Sequence, residues 1–455
     1  MRRDLAALED RHFDLVVIGG GIVGACVLRD AARRGLSAAL VEADDFACGA
    51  SEAMSHFIHG GIRYLAEGRI GMVRRSLAER GIWQRIAPQF VAPLPFLLPF
   101  EKGRSSITLR LGTALFEMLG GKGFGRRLGP DEAAAAEPVL AGMGGALLYQ
   151  DCRIDAPERA VIAILKDAAA HGAVIANHAE AVSLAANKGR VTGLAVRDGL
   201  GGGLIHIRAK AVLNATGAAA QFVAEKLAPG QKQVRLTLSK GIHLVTRPLL
   251  QTHALAFSGR GEHAALSPWQ GMTLIGTTDF VHNGDPRLAD AEAVAALTGK
   301  VRRFLPAISD ALSDPLETFA GVRALPGQGG DTYRAARETL FADHAGDGAA
   351  GLFTLTGGKW TTARHMAETG VDRISAFLGL KLAQCDTMHA VLPDAINPLT
   401  TEVQRFEAAA DSEMAMTADD LARRMTRAAC ISDPGLRQRA AAWLETGGKA
   451  GQAGP

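Results

Sequence analysis

The chain has 455 residues, 47% of them hydrophobic and 21% charged, which is the composition of a globular protein with enough apolar material for two to four domains. Lys+Arg 50 against Asp+Glu 47 gives a net charge of +3. That balance, with aromatics at only 5%, argues against a nucleic-acid partner and its stacking surfaces.

In chain order, the N-terminus MRRDLAALEDRHFDLVV has no apolar run before its acids and does not read as a signal peptide. FDLVVIGG (Phe13–Gly20) reads as a buried parallel strand. GIVGACVLRDAARRG follows with helical spacing, Ile22, Ala25, Cys26, Leu28 and Ala32 sharing faces, and Gly35 stops it. SAALVEADDF (Ser37–Phe46) is a second strand, completing a β-α-β unit. Helical pattern resumes from Met72 to Ala87. FVAPLPFLLPF (Phe90–Phe100) is too short and too proline-interrupted for a membrane span, and is expected to be extended core chain. A helix is predicted over Asp155–Ala173, capped by Asp155 with Pro157 in its first turn. VIANHAEAVSL, VTGLAVRD and LIHIRAKAVLNATG read as a meander of strands, with GLGGG (Gly199–Gly203) as a hairpin turn. From Leu236 to about Ala324 the pattern is mixed, with a helix at ADAEAVAALTGKVRRFL. GLFTLTGGKWTTARHMAE is a strand, a Gly-Gly turn and a helix. The Ala-rich tail beyond about Leu380 reads as a small helical cap. The cysteines, Cys26, Cys48, Cys152, Cys385 and Cys430, are scattered and odd in number, so reduced thiols are expected rather than disulfides or a metal site.

The chemistry starts at Gly19-Gly20-Gly21-Ile22-Val23-Gly24, a GxGxxG between strand and helix. Gly19 allows a tight turn, Gly21 lets a pyrophosphate approach the backbone, and Gly24 lets helix and strand pack. The helix N-terminus offers free N–H groups to phosphate. Glu42 closes the second strand, where a carboxylate accepts from ribose hydroxyls. Together these features call for a dinucleotide. FAD or NAD both satisfy them; NATG (Asn214–Gly217) at a late strand end and GGKWTT (Gly357–Thr362) before a helix favour FAD.

Several motifs then fall in one order: the opening FDLVVIGGGIVGACVLRDAARRGLSAALVEADDFACGAS, then FIHGGIRYLAEG, RIAPQFVAPLPFLLPF, LSKGIHLV, TLIGTTDFVHNGDP, FAGVRALP and GGKWTTARHMAE. In these the chain resembles the FAD-dependent glycerol-3-phosphate dehydrogenase family, within the D-amino-acid-oxidase-like flavoproteins, from about Arg2 to Leu378. DDLARRMTRAACI (Asp419–Ile431) resembles a shortened version of that family's C-terminal helical domain.

The resemblance implies an α/β fold: a discontinuous Rossmann-type FAD-binding domain (12–90, 150–235 and 325–380), a mixed-sheet α+β substrate domain (91–149 and 236–324) and a short C-terminal helical cap (385–455). It implies His243 as base for a hydroxyl proton. Arg323 would stabilise the developing alkoxide or bind phosphate, and Lys359 would lie near flavin and substrate. The implied cofactor set adds Ser51, His59, Gly60, Gly61, Val182, Thr216, Gly217, Gly358, Lys359, Trp360 and Thr361 to Gly19, Gly21, Gly24 and Glu42. His56, Arg63, Arg323 and Lys359 are the implied substrate contacts. GTTD (Gly276–Asp279) is expected to orient strands or touch substrate. The implied activity is FAD-dependent oxidation of a secondary alcohol of a polyol phosphate, with quinone or another acceptor, no metal, peripheral contact with the inner face of the cell membrane from the cytoplasm, and a homodimer compatible with it. A flavin oxidase of another hydroxy or amino compound, and a flavin-binding regulator without catalysis, stay open.

One departure bears on substrate. The family typically carries Ser-Arg-(Ser/Asn)-Ser-Lys where this chain has Glu52-Ala53-Met54-Ser55-His56. The phosphate-gripping arginine falls on Ala53 and the lysine on His56. Two positive charges become one negative, which is either drift or a re-specified site.

Overall fold

The computed structural model describes residues 1–65, 67–101, 107–120, 122–259, 262–282, 290–327, 338–393 and 401–447. Ala66 and Asn283–Pro286 of the quoted motifs lie outside them. The chain folds as two compact units: Met1–Glu52, Ala156–Thr237 and Ala324–Pro455 form the first, Ala53–Asp155 and Leu238–Arg323 the second.

The first unit is built on the β-α-β motif. Strand His12–Ile18, helix Ile22–Arg33 and strand Ala38–Val41 follow one another, and the two strands pair in parallel with Leu15 opposite Ala38 and Ile18 opposite Val41. Arg34 is the C-cap and Gly35 takes φ +89°, a left-handed turn that ends the helix without strain. The sheet order is Thr339–Asp343, Leu352–Gly357, Leu204–Asn214, His12–Ile18, Ala38–Val41, Val174–Ala176. All neighbours in it are parallel except the first pair. Strands buried on both faces need continuous apolar runs, and Leu15, Val16 and Val17 are fully buried.

The VIANHAEAVSL stretch is two strands, Val174–Ala176 and Ala179–Asn187, broken at His178 with φ +49°. The helix expected from Asp155 runs Pro157–Ala170 with Ala156 as N-cap and no side-chain cap. Asp155 instead pairs with Arg153, 3.4 Å away, and the first turn carries Pro157 and Glu158. The C-terminal helices Glu402–Glu413, Ala418–Arg424, Arg427–Ser432 and Leu436–Glu445 bury their own cluster around Phe406, Leu421, Met425 and Leu436.

Among the described residues, the second unit is built on a 10-stranded sheet. Residues 53–90 belong to it, because strand Phe57–Ile58 pairs with Gly145–Ile154. Val91–Phe100 is the expected extended segment, antiparallel to Gly145–Ile154 along its whole length. Pro93, Pro95 and Pro99 share one parity, so their missing N–H groups all lie along one edge. Strand Leu236–Thr246 pairs with Met272–Gly276, placing His243 opposite Gly276. Strand Glu317–Pro326 lies on its other side, and helix Ala291–Phe304 packs Leu297 and Val301 into the unit's core.

Candidate functional site

In the first unit the glycine turn forms a close-fitting cradle. Gly19 has φ +109°, and a Cβ there would stand 2.8 Å from the Ala215 carbonyl oxygen. A Cβ on Gly24 would collide with the Gly19 carbonyl. A Cβ on Gly21 would meet only the Ser51 hydroxyl, at 3.0 Å, so this backbone is open on the side a phosphate would use. Ser51 Oγ accepts the Ile22 N–H at 2.9 Å, filling the capping role that Gly21 has no side chain to fill. Glu42 accepts the Gly20 N–H at 2.6 Å and the Asp44 N–H at 2.9 Å. These bonds hold the carboxylate at the end of its strand, while burial pushes its pKa above the ordinary carboxylate value.

At the neighbouring strand end, Asn214 is fully buried and its Oδ1 accepts from both the Thr216 N–H (3.2 Å) and the Thr216 hydroxyl (2.7 Å). That fixes the Thr216-Gly217 turn, with Gly217 at φ +59° and its carbonyl accepting from Thr356 Oγ1 at 3.0 Å. Gly357 and Gly358 both have positive φ and lead to the short helix Trp360–Thr362, where the Lys359 N–H donates to Thr362 Oγ1 at 3.2 Å. Thr361 is buried within that turn. Val182 sits at a register shift between Ala181 and Ser183, where the ladder with Arg190–Asp198 skips one residue. An open glycine turn, an acid at the second strand and a skipped backbone position fit a dinucleotide.

In the second unit, His243 and Arg323 are seated on glycines. The His243 ring lies over Gly276, where a Cβ would collide with it, and stacks on Phe319 at 5.0 Å and 18°. Ser55 Oγ is 2.9 Å from His243 Nε2. The Arg323 guanidinium crosses Gly241, where a Cβ would collide with Nη2. It donates to the Thr278 carbonyl at 2.5 Å and Thr277 Oγ1 at 3.4 Å, and pairs with Asp279 at 3.4 Å. Asp279 in turn accepts from Ser239 Oγ at 2.5 Å. Gly241 and His243 are two residues apart on one strand, so their side-chain positions share a face. The GTTD motif is therefore the mount of Arg323.

Other anticipated residues have different surroundings. His56 is 3% exposed, with φ +56° and its ring edge-on to Trp269 at 4.8 Å. Arg63 lies 3.3 Å from His263 Nδ1 and over the Tyr64 ring. Gly60 donates to the Asp151 carboxylate, itself paired with Arg80, and a Cβ there would collide with Leu77. Packing against Leu77 and Phe116 thus favours glycine at 60. Gly61 follows with φ +77°, and His59 precedes this turn. The Ala53 carbonyl lies against Gly321, two residues before Arg323 on the same strand face.

Glu52 corrects the expected charge tally. Its carboxylate is taken by Arg423 at 2.7 Å and Arg427 at 3.2 Å, so it adds no free negative charge to the loop. Sequence reasoning also missed Phe319, Asp151, the contact of Ser55 with His243 and the glycine seats. Gly241 lies inside SKGIH and Gly276 inside GTTD, but neither motif marks its glycine as a seat.

These features define the class: a dinucleotide-binding oxidoreductase fold, with a histidine and an arginine seated on glycines in a second unit. The FAD dependent oxidoreductase family model matches residues 14–368. The aerobic glycerol-3-phosphate dehydrogenase of Staphylococcus saprophyticus is 34% identical over 405 residues, covering 85% of this chain and 72% of the relative. The structure of glycerol-3-phosphate dehydrogenase from Bacillus halodurans complexed with FAD matches with TM-score 0.68 and 29% identity, over 85% of this chain and 69% of that one. The reduced L-alpha-glycerophosphate oxidase of Mycoplasma pneumoniae with FAD bound shares the fold, with TM-score 0.65 at 18% identity.

The protein is an FAD-dependent oxidoreductase. More narrowly, the chain belongs to the FAD-dependent glycerol-3-phosphate dehydrogenase family.

Proposed function

We propose that the protein oxidises the secondary alcohol of a small polyol phosphate, glycerol 3-phosphate to dihydroxyacetone phosphate or a close analogue. The observation that carries this is His243 and Arg323 mounted on glycines along one strand face. Bound FAD supplies the two-electron acceptor for the hydride. His243 removes the hydroxyl proton as the carbonyl forms, its ring held by Phe319 and Ser55. Arg323, fixed by Thr278 and Asp279, stabilises the oxygen that gains charge or grips the phosphate. Lys359 and Arg63 supply further cations, and His56, buried against Trp269, shapes the wall rather than replacing a lysine charge. Glu42, Ser51, Val182, Thr216, Gly217 and the Gly358–Thr361 turn hold FAD. The relatives' names support the substrate class.

The same reading carries reoxidation by quinone or another acceptor at the inner face of the cell membrane, with a homodimer as the assembly. Among the described residues no helix is long and apolar enough to cross a membrane. A second reading, a different hydroxy or amino substrate, is favoured by Ala53 standing where the family has an arginine. The test is anaerobic. Glycerol 3-phosphate added to the purified yellow protein should bleach the visible flavin band. A band that persists with this substrate, yet bleaches with dithionite, would overturn glycerol 3-phosphate and favour the second reading.

A further inference from the structure

The stretch from Ala43 to Ser51 contains no helix or strand, yet it joins Glu42 to Ser51. Both ends of this stretch are held by arginines of the C-terminal helices. Arg424 makes a bidentate pair with Asp45 at 2.7 and 2.9 Å, and both side chains are 2% exposed. Asn177 Nδ2 bridges the same Asp45 (3.1 Å) to the Met414 carbonyl (2.8 Å). Arg423 and Arg427 hold Glu52, the residue after Ser51. Arg423 and Arg424 end helix Ala418–Arg424, and Arg427 begins the next helix, so one short turn supplies all three guanidiniums. The family match ends at residue 368, before any of them.

We propose that the C-terminal helices clamp the cofactor loop: Arg423, Arg424 and Arg427 are positioning residues that hold Glu42 and Ser51 in the FAD-binding conformation. The physical reason is preorganisation. An irregular loop left free would have to be ordered when the cofactor binds, and that ordering would be subtracted from affinity. Anchoring it on either side of Ser51 removes the cost beforehand. Glu52 and its two arginines then form a matched set. The acid that stands out in the sequence is the handle for the cap, and takes no part in substrate selection. The proposal rests on the reading that Glu42 and Ser51 face FAD.

The test measures FAD dissociation constants on the full chain by flavin fluorescence, together with the rise in melting temperature that saturating FAD produces. Arg423→Gln with Arg427→Gln, and separately Glu52→Gln, should each weaken FAD binding about 10-fold, the loss of one charge-assisted contact. The FAD-induced rise in melting temperature should shrink accordingly. Arg423→Lys with Arg427→Lys should keep most of the affinity that the glutamine pair loses. Arg439→Gln, which breaks exposed pairs with Glu402 and Asp433 elsewhere in the cap, should leave FAD affinity unchanged.

Glu42→Gln serves as the check on the loop reading. If it weakens FAD while the arginine variants bind normally, the clamp is overturned and the loop reading stands. If neither weakens FAD, both fall. Equal destabilisation of apo and holo protein, with the dissociation constant unchanged, also overturns the clamp, since a purely structural cap would do that. Should the double variant not fold, Arg427→Gln alone decides by the same two readouts.

Discussion

A methyl group added at Gly276 would fall on the His243 ring, and one added at Gly241 would fall on the Arg323 guanidinium. Neither side chain can move freely aside. His243 is packed on Phe319, and Arg323 is tied to Thr278 and Asp279. Gly276→Ala should therefore displace His243, the proposed base, and lower kcat/KM by about 10²- to 10⁴-fold, the range a positioned base contributes. The visible flavin spectrum should be retained. Gly241→Ala should act through Arg323 and raise KM or lower kcat according to whether that cation holds phosphate or the reacting oxygen. Steady-state kinetics on the flavin-loaded variants checks both. His243 and Arg323 were legible as the motif residues of SKGIH and FAGVR. Their seats were not, because a glycine needed for close side-chain approach looks like any other glycine in one sequence. Ser55 was illegible for another reason: it meets His243 across 188 positions of chain, with no local periodicity to announce it.

Among elements, the helix Pro157–Ala170 shows what a boundary error costs. Assigning its cap to Asp155 hid the role of Glu158 in the first turn. Glu158 accepts the Arg427 N–H at 3.3 Å. Burial, with the Glu52 charge adding to it, pushes the Glu158 carboxyl up to about 7 despite that bond and the Arg427 charge. Its pKa is thus raised on folding. The stabilisation is complete below the unfolded pKa, near 4.3, where both states are protonated. It is lost as pH rises to about 7, because the unfolded chain ionises first. Glu158→Gln keeps the acceptor and removes the ionisation. The variant should melt higher than the parent at pH 8, by as much as ~3 kcal/mol of stability, and match it at pH 4. Melting curves at the two pH values test this; a variant less stable at pH 8 would show that the carboxylate charge is needed there. The β-α-β unit, by contrast, was read correctly because strand, glycine turn and helix are all local signals.

For the molecule as a whole, the illegible part is how the C-terminal helices attach. Their apolar cluster is their own, and their described contacts with the rest of the first unit include a series of ion pairs. Arg424–Asp45, Arg159–Glu413 and Arg423–Glu52 each join residues more than 250 positions apart, beyond the reach of any motif. Such pairs differ in worth. Arg423–Glu52 is partly exposed and should be screened by salt. Arg424–Asp45 is buried, so breaking it from one side strands the other charge. Arg424→Met should cost about 3–5 kcal/mol of stability, because Asp45 keeps the Asn177 amide but loses its charge partner in low dielectric. Pairing Arg424→Met with Asp45→Asn removes the stranded charge and should recover much of that loss, since a buried ion pair is often no better than neutral residues in the same space. The coupling energy from the four-member cycle, measured by denaturant unfolding, should fall at about 0.5–3 kcal/mol. A coupling near zero would mean that the cap is held by its apolar contacts and that this pair only fixes its register. A large coupling with FAD affinity restored in the double variant would separate the two roles: neutral packing could then seat the cap, and the loop would need only to be held, by whatever chemistry, for the cofactor to find its shape.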